Sequence, residues 1–274
     1  MTEQHVLPTC YRHPDRETRL ACSNCERPVC VDCVRTAAVG QRCLECAAPA
    51  PGAGVMDMED VRRRSTRPAL VTFTALGISV AVFALELLVP GFSGVVRALG
   101  EQSNVAVAEG QWWRLFSAAF LHGGITHIAF NMYALYLFGP QLEREVGSLP
   151  FAGLYLASAL AGGAAFYAAE PFATAVGASG AIFGLFGAWL AASYRGRHTE
   201  QGRASLRSLL VLLAINAVIG FTPGLNIAWQ AHAGGLVAGF VIAFVWSLAP
   251  FRRQTALRTA FALAVAVVAL ATVL

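Results

Sequence analysis

The sequence predicts an all-α protein that crosses a membrane several times and begins with a small metal-stabilised module. Hydrophobic residues make up 56% of the 274 residues and charged residues only 13%, which lies outside the usual range of soluble domains. From Ala69 onward the chain is a series of apolar runs, each about long enough to cross ~30 Å of hydrocarbon. Before these runs, seven cysteines lie between Cys10 and Cys46.

Composition divides the chain into four regions. Residues 1–48 form a Cys/His module, and residues 49–68 are a linker rich in Pro, Gly and Arg. Residues 69–250 hold six apolar segments, and residues 251–274 hold a seventh. The polar N-terminus lacks the pattern of a cleaved signal peptide, so the first apolar segment is expected to act as an uncleaved anchor.

The apolar segments are expected to be transmembrane helices. Helices and closed barrels satisfy their backbone hydrogen bonds in lipid, and these runs lack the alternation of barrel strands. The segments are 69–89, 121–140, 150–169, 178–194, 206–221, 227–248 and 256–274. The fifth segment is short, which predicts a tilted or mobile helix.

The arginines predict the orientation of the helices, because basic residues concentrate in cytoplasmic loops. All 20 basic residues are Arg. With the N-terminus inside, the outer loops hold only Arg97 and Arg114. The inner flanks then hold Arg62, Arg63, Arg64, Arg67, Arg144, Arg195, Arg197, Arg203, Arg207, Arg252, Arg253 and Arg258. The module is therefore expected in the cytoplasm and the C-terminus outside. The Arg-only, Ala-rich composition favours a bacterial cell membrane.

Ser179 and His232 are the candidate nucleophile and general base. Polar and ionisable residues are costly in membrane helices and often mark function. A histidine has a suitable pKa to take the proton of a serine hydroxyl. The apolar region has no Asp after Asp60 and its Glu residues are badly placed, which favours a Ser–His dyad without a third carboxylate. The absence of Lys excludes a Ser–Lys dyad, and no His-Glu-x-x-His motif of zinc proteases occurs.

Neighbouring residues are predicted to support this dyad. Phe183 follows Ser179 by four residues on the same helical face, so its ring could stack on His232. Small residues let two helices approach closely, and a hydrogen bond between Ser179 and His232 requires such an approach. Glycines are present in both segments: Gly177, Gly180, Gly184 and Gly187 near Ser179, and Gly235 and Gly239 after His232.

His127 and Asn131 are the candidate oxyanion donors. They are spaced i, i+4 and therefore face one direction, and the backbone N–H of Ser179 could complete the hole. All four polar residues lie near the outer ends of their segments, at similar depth. A Gly-x-Ser-Gly string that only packs helices, and a His bonded to a backbone carbonyl or a metal, are the alternatives.

Four motifs in order resemble the rhomboid family of intramembrane serine proteases, over about residues 69–250. They are Trp113-Arg114, His122-Gly-Gly-Ile-Thr-His127-Ile-Ala-Phe-Asn131, Gly177-Ala-Ser179-Gly and Ala231-His232-Ala-Gly-Gly235. The resemblance implies a six-helix core with 256–274 as an extra helix, and the same roles for Ser179, His232, His127 and Asn131. It implies no catalytic metal or cofactor, and single-pass membrane proteins as substrates.

The resemblance also sets expectations for smaller features. Phe183 stands where several relatives carry Tyr, so stacking is kept and a hydroxyl contact is lost. Trp113-Arg114 is expected to anchor the outer loop in the headgroup region, and His122 to help fix that loop. Substrates are expected to enter sideways near the second and fifth helices. The alternatives are a catalytically silent scaffold or chaperone that binds transmembrane helices, and a small transporter.

The N-terminal module carries eight candidate zinc ligands in four pairs, each with two residues between its members. The pairs are Cys10 with His13, Cys22 with Cys25, Cys30 with Cys33, and Cys43 with Cys46. Eight ligands fill two tetrahedral zinc sites. Disulfides are the alternative, which a reducing cytoplasm disfavours.

The order of these ligands resembles a B-box-type zinc finger, with Cys43 and Cys46 where that family usually has His. A cross-braced arrangement would join the first pair to the third and the second to the fourth, and the sequence does not exclude sequential sites. The module is expected to bind a cytoplasmic protein partner. Nucleic acid is not expected, because acidic residues offset the six arginines of the module.

Overall fold

The computed structural model describes residues 7–37, 40–48, 66–222, 227–251 and 254–274. The chain divides into two compact units, Met1–Arg63 and Arg64–Leu274. Most of the predicted linker lies outside the described residues. Five of the arginines that predict orientation, namely Arg62, Arg63, Arg64, Arg252 and Arg253, also lie outside them.

The first unit contains two short antiparallel strand pairs and one helical turn. Its elements are β1 (Thr9–Cys10), β2 (His13–Glu17), β3 (Val34–Thr36), β4 (Gln41–Cys43) and α1 (Leu44–Ala47). β1 pairs with β2, and β3 with β4. The buried core of its described residues is five cysteines and Val29. So small a core needs additional stabilisation, which a metal ion can supply.

The second unit is helical. Its elements are α2 (Leu70–Leu88), α3 (Phe92–Gly100), β5 (Gln102–Ser103), α4 (Asn104–Ala108), α5 (Arg114–Ser117), a 3-10 turn (Ala118–Phe120), α6 (Ile125–Val146), α7 (Ser148–Ala169), β6 (Thr174–Ala175), α8 (Ser179–Arg195), α9 (Glu200–Gly220), α10 (Trp229–Trp246) and α11 (Thr255–Ala271). A helix of at least 17 residues overlaps each of the seven predicted segments, which confirms the all-α polytopic fold. The second of these helices begins at Ile125 and ends at Val146, later than the predicted segment 121–140.

Four of these helices meet the length and hydropathy expected of a membrane span, counted over the described residues. They are α2, α7, α9 and α10. Of the other three, α8 and α11 have 17 residues each. Helix α6 has 22 residues, and uncharged polar residues along it, His127 and Asn131 among them, lower its mean hydropathy. The protein is an integral membrane protein.

The prediction that the fifth helix is short is wrong. Helix α9 has 21 residues and begins at Glu200, six residues before the apolar run. Thr199 caps it, since its side-chain oxygen accepts a hydrogen bond from the Gly202 N–H (3.0 Å). The first turns of α9 are polar. The hydropathy of the sequence therefore indicated only the later, apolar part of this helix.

Glu143 joins three helices at the end of the bundle where α6 ends and α2 and α7 begin. It lies near the end of α6 and is only 1% exposed. Its carboxylate accepts hydrogen bonds from the backbone N–H groups of Val71 and Thr72, both at 2.9 Å. It also accepts from the hydroxyls of Thr72 and Ser148, both at 2.7 Å. The carboxylate thus satisfies two free N–H groups in the first turn of α2. The dipoles of α2 and α7 also favour an anion near their first turns.

The connection from α2 to α6 is held by Arg114, and the predicted headgroup role of this residue is wrong. Arg114 is 7% exposed and its guanidinium points into the connection. It donates to the backbone carbonyls of Glu101 (2.8 Å) and Ala98 (2.5 Å) and to Oε1 of Gln111 (2.8 Å). A guanidinium group has five N–H donors in a rigid planar arrangement, so it can bond to several carbonyls at once. Trp113 does lie on the surface, 44% exposed.

Helix α7 is the centre of the bundle, and residues of α8, α10 and α11 pack closely on it. It is the most buried of the four candidate spans. Its Gly162 lies against the carbonyl of Ala231 in α10, and its Gly153 against Ala262 in α11. The seventh helix is therefore part of the packed bundle.

Replacement of Glu143 by alanine should destabilise the bundle. The change leaves buried donors of α2 and α7 without an acceptor, and each such donor costs about 1–3 kcal/mol. We expect the free energy of unfolding in detergent to fall by about 2–4 kcal/mol. Glu109→Ala, at an exposed carboxylate in the connection from α2 to α6, is the control. Equal stability of the two variants would contradict the role of Glu143.

Candidate functional site

Helices α8 and α10 are in backbone contact. A Cβ atom on Gly235 would overlap the carbonyl oxygen of Gly180, and one on Gly239 would overlap that of Gly184. The small residues recur every four positions on both helices, which aligns them along one seam. This contact brings two residues that are far apart in sequence to the same place.

Ser179 and His232 form a hydrogen bond at the end of this seam where both helices begin. The distance from Ser179 Oγ to His232 Nε2 is 2.8 Å. Ser179 is the first residue of α8, and His232 lies in the first turn of α10. Both side chains are partly exposed. If Nε2 accepts the serine proton, Nδ1 of the neutral ring carries the other one.

The ring of Phe183 stacks on the imidazole of His232. The ring centres are 4.1 Å apart and the planes differ by 8°. Phe183 is itself held edge-on by Phe186 (5.4 Å). None of the described carboxylates bonds to His232. Stacking is therefore the contact that orients this imidazole.

His127 reaches the same site from α6, next to Gly177. Gly177 has φ +131°, and a Cβ atom there would lie 2.7 Å from Nε2 of His127 and 3.8 Å from Oγ of Ser179. His127 Nδ1 accepts a hydrogen bond from the Gly123 N–H (3.3 Å). Its Nε2 is therefore the nitrogen on the side of Gly177.

Asn131 lies one turn deeper on α6. Its Nδ2 donates to the backbone carbonyl of His127 (2.9 Å), which leaves one N–H for another acceptor. His127 and Asn131 thus share one helical face, and the Asn131 amide is bonded to its own helix. Neither residue contacts Ser179 through a direct hydrogen bond.

His122 is a buried neighbour of this site. It is fully buried, and its ring stands edge-on to that of His127 with centres 5.3 Å apart. Its backbone carbonyl accepts a hydrogen bond from Arg97 (2.8 Å), which also pairs with Glu86. His122 thus links the chain between α2 and α6 to the start of α6.

Comparison with known proteins identifies the family. The model of the Rhomboid domain matches residues 109–249, which is more than half of the chain. The chain belongs to the rhomboid family. The matched residues include Ser179, His232, His127 and Asn131, and the Cys/His unit lies outside them.

Relatives of this rhomboid chain occur in bacteria and plants. YdcA of Bacillus subtilis is 40% identical over 143 residues, which cover 52% of this chain and 71% of YdcA. The rhomboid protease GluP of the same organism is 39% identical over 176 residues, 63% of this chain and 34% of GluP. RHOMBOID-like protein 5 of Arabidopsis thaliana is 36% identical over 158 residues, 57% of this chain and 50% of that protein. The chain thus spans half or less of the two longer relatives.

The rhomboid domain has a cavity of about 40 Å³ beside Ser179. A site needs only ~10–15 Å³ to hold a water molecule. The cavity is lined mainly by small side chains and backbone atoms. The lining residues include Gln102, Ala118, Gly163, Gly177, Ser179 and Ala231. The site therefore has room for water next to the hydroxyl.

Gln102 is a residue of this cavity that sequence reasoning missed. It is 4% exposed, and its amide donates to Asn104 Oδ1 (2.9 Å) and to the carbonyl of Gly163 (2.8 Å). Pairing of β5 with β6 sets it opposite Ala175. A single Gln in a connection has no spacing or motif, and only this tertiary pairing reveals it.

The eight predicted metal ligands outside the rhomboid domain form two clusters. One contains Cys10, His13, Cys30 and Cys33, and the other Cys22, Cys25, Cys43 and Cys46. Within each cluster the ligand atoms lie within 4.8 Å of one another. The pairing is cross-braced, which answers the question that the spacing left open. All seven cysteines are free thiols.

The geometry of both clusters fits a tetrahedral ion. The Cys25 and Cys43 sulfurs are 3.8 Å apart, and Zn–S bonds of ~2.3 Å give an edge of about 3.8 Å. His13 Nδ1 lies 3.3 Å from Cys30 Sγ and 3.4 Å from Cys33 Sγ. These clusters could therefore hold metal ions.

The thiols of each cluster differ in their tendency to ionise. A hydrogen bond from the backbone of Cys43 is the main cause that lowers the pKa of Cys22 to about 6. Burial raises the pKa of Cys33 to about 11. Like charges at these distances resist a second ionisation, and a bound divalent cation would favour the thiolate form of all ligands.

Replacement of Gly177 by alanine should impair the site. The φ of +131° is strained for alanine, and the new methyl group would displace the His127 ring. We expect labelling of Ser179 by a fluorophosphonate, which reacts with activated serine hydroxyls, to fall at least about tenfold. Gly94→Ala is the control, because open space surrounds that position. Unchanged labelling of Gly177→Ala would show that the reactivity of Ser179 does not depend on the position of the His127 ring.

Proposed function

We propose that this protein is an intramembrane serine endopeptidase that cleaves peptide bonds in or beside the transmembrane segments of single-pass membrane proteins. The hydrogen bond between Ser179 Oγ and His232 Nε2 carries this proposal. Membership of a family with relatives named as proteases supports it.

The chemistry is acyl transfer to Ser179. His232 takes the hydroxyl proton while Oγ attacks the carbonyl carbon of the scissile bond. The C–N bond then breaks, and the imidazolium gives its proton to the leaving amine. In the second half, His232 deprotonates a water that attacks the acyl ester. The products are a carboxylic acid and the free Ser179 hydroxyl, and no cofactor takes part.

His127, Asn131 and the backbone N–H of Ser179 stabilise the developing oxyanion. The proximity of His127 Nε2 to Gly177 and the remaining N–H of Asn131 support this role. Each donor of this type is worth about 10²–10³ in rate in other acyl-transfer enzymes. Phe183 replaces a carboxylate as the group that holds His232 in position.

The substrate enters sideways between α6 and α9. Of the four candidate spans, α9 is the least buried, with 6% of its apolar window inside the bundle against 67% for α7. A weakly packed helix needs little free energy to move. Substrates with Gly or small polar residues near the outer membrane boundary are favoured, because their helices unwind more readily. Trapping of substrate beside α9 tests this route.

The N-terminus lies in the cytoplasm of a bacterial cell and the C-terminus outside. The described inner-flank arginines lie near one end of the bundle, as in the turn from α8 to α9. The two outer arginines are engaged within the protein: Arg97 pairs with Glu86, and Arg114 bonds to backbone carbonyls. Surface accessibility labelling of the C-terminus in intact cells tests this orientation.

The N-terminal module, residues 1–48, binds two structural zinc ions, one in each ligand cluster. It serves as a binding module for a cytoplasmic protein. Two of its arginines are paired with carboxylates, Arg16 with Asp32 and Arg27 with Glu45. Acidic residues thus offset part of the positive charge of the module, which argues against the basic surface that nucleic-acid binding requires.

Substitution of either dyad residue should abolish cleavage. Ser179→Ala removes the nucleophile and His232→Ala the base, and each should lower the rate at least about 1,000-fold. The assay is cleavage of a single-pass test substrate in proteoliposomes, with fluorophosphonate labelling alongside. Ser193→Ala, on the same helix as Ser179, and His198→Ala are matched controls. Persistent cleavage by either dyad variant would reject the proposal and favour a scaffold.

Metal analysis of the purified full chain should give about two zinc ions per molecule. Cys33→Ser and Cys46→Ser each remove one ligand from a different cluster, so each should lower the content to about one. Thr36→Ala, at an exposed position of β3, should keep two. A wild-type protein without zinc, or with disulfides by mass spectrometry, would reject this assignment.

A further inference from the structure

Asn216 is a polar residue in the last two turns of a lipid-exposed helix. It lies in α9, the least buried of the candidate spans. Its Nδ2 donates to the backbone carbonyl of Leu212 (2.9 Å). The amide still has one N–H and its oxygen available, and none of the described residues donates to that oxygen. Unsatisfied polar atoms are costly in hydrocarbon, and such residues often mark function.

Asn216 lies on the face of α9 that points into the bundle. Leu209 is buried, and Leu212 and Leu213 pack against the buried core. Asn216 continues this row, because positions i, i+3, i+4 and i+7 share one face of a helix. Val218, on another face, is 71% exposed. The carboxamide is therefore on the protein side of the helix.

Two independent measures put Asn216 at the depth of the dyad. α8 and α9 are joined by a short turn and run antiparallel. Ser179 is sixteen residues from Arg195 at the end of α8, and Asn216 is sixteen residues from Glu200 at the start of α9. At ~1.5 Å per residue, both lie about 24 Å above that turn.

The second measure comes from the other end of α9. A Cβ atom on Gly220 would lie 3.5 Å from Trp229, so the end of α9 is level with the start of α10. Asn216 is four residues below Gly220, and His232 is three residues below Trp229. These steps correspond to about 6 Å and about 4.5 Å. Asn216 is therefore level with His232 as well.

We propose that Asn216 binds the backbone of the unwound substrate segment next to the scissile bond. Unwinding a transmembrane helix frees N–H and C=O groups that have no water to bond to. A carboxamide offers one donor and one acceptor, which match one peptide unit. This role rests on the proposed protease function and adds a substrate-binding residue on the helix by which substrate enters.

Asn216→Leu removes the hydrogen-bonding groups with little change in volume. We expect KM for a single-pass substrate with Gly and Ser near its outer boundary to rise about three- to tenfold, the worth of one hydrogen bond. We expect kcat and fluorophosphonate labelling of Ser179 to stay within about twofold. Asn216→Gln keeps the amide and should restore most of the affinity. Val218→Leu, on the exposed face, is the matched control.

A binding assay tests Asn216 independently of catalysis. In the Ser179→Ala protein, Asn216→Leu should weaken binding of the same substrate about three- to tenfold, and Val218→Leu should not. Equal binding with Asn and Leu at position 216 would overturn the inference. Loss of fluorophosphonate labelling in Asn216→Leu would also overturn it, because the residue would then support the dyad. Lack of labelling in the wild type would reject the protease function alone.

Discussion

The contact between the backbones of α8 and α10 is the constraint on which the rest of the structure depends. Gly180 and Gly184 meet Gly235 and Gly239, and a single Cβ at the crossing would separate the helices. In lipid no hydrophobic force drives helices together, so close van der Waals packing has to provide the attraction. The same contact holds Ser179 and His232 at 2.8 Å. The close packing of α8 and α10 and the proposed catalytic hydrogen bond thus depend on the same helix contact.

Two buried charged groups of the membrane unit are satisfied by similar means. At the end of the bundle where α2 and α7 begin, the Glu143 carboxylate accepts hydrogen bonds from the first turns of these two helices. In the connection from α2 to α6, Arg114 donates to backbone carbonyls. Of the four candidate spans, α7 is the most buried and α9 the least buried. The molecule therefore combines a rigid centre with one loosely packed helix beside the candidate site.

Much of this arrangement could be predicted from the sequence because hydropathy and short spacings are local properties. The seven helices lie at the predicted segments, and the i, i+4 spacing placed Phe183 on the face that stacks on His232. Hydropathy did not predict the start of α9, because polar residues from Glu200 onward continue the helix. It also did not predict that the charged side chain of Arg114 is buried. Gln102 and Asn216 carry no motif at all.

By itself the sequence determined which residues can do chemistry. A serine and a histidine stand in apolar runs, and eight thiol and imidazole ligands recur at one spacing. The tertiary structure decided which of them meet. It joined the ligand pairs in a cross-braced order and set Asn216 at the level of the dyad. Both outcomes depend on how helices and strands are aligned in space. Contacts between residues that are distant in sequence control this alignment, and local periodicity does not.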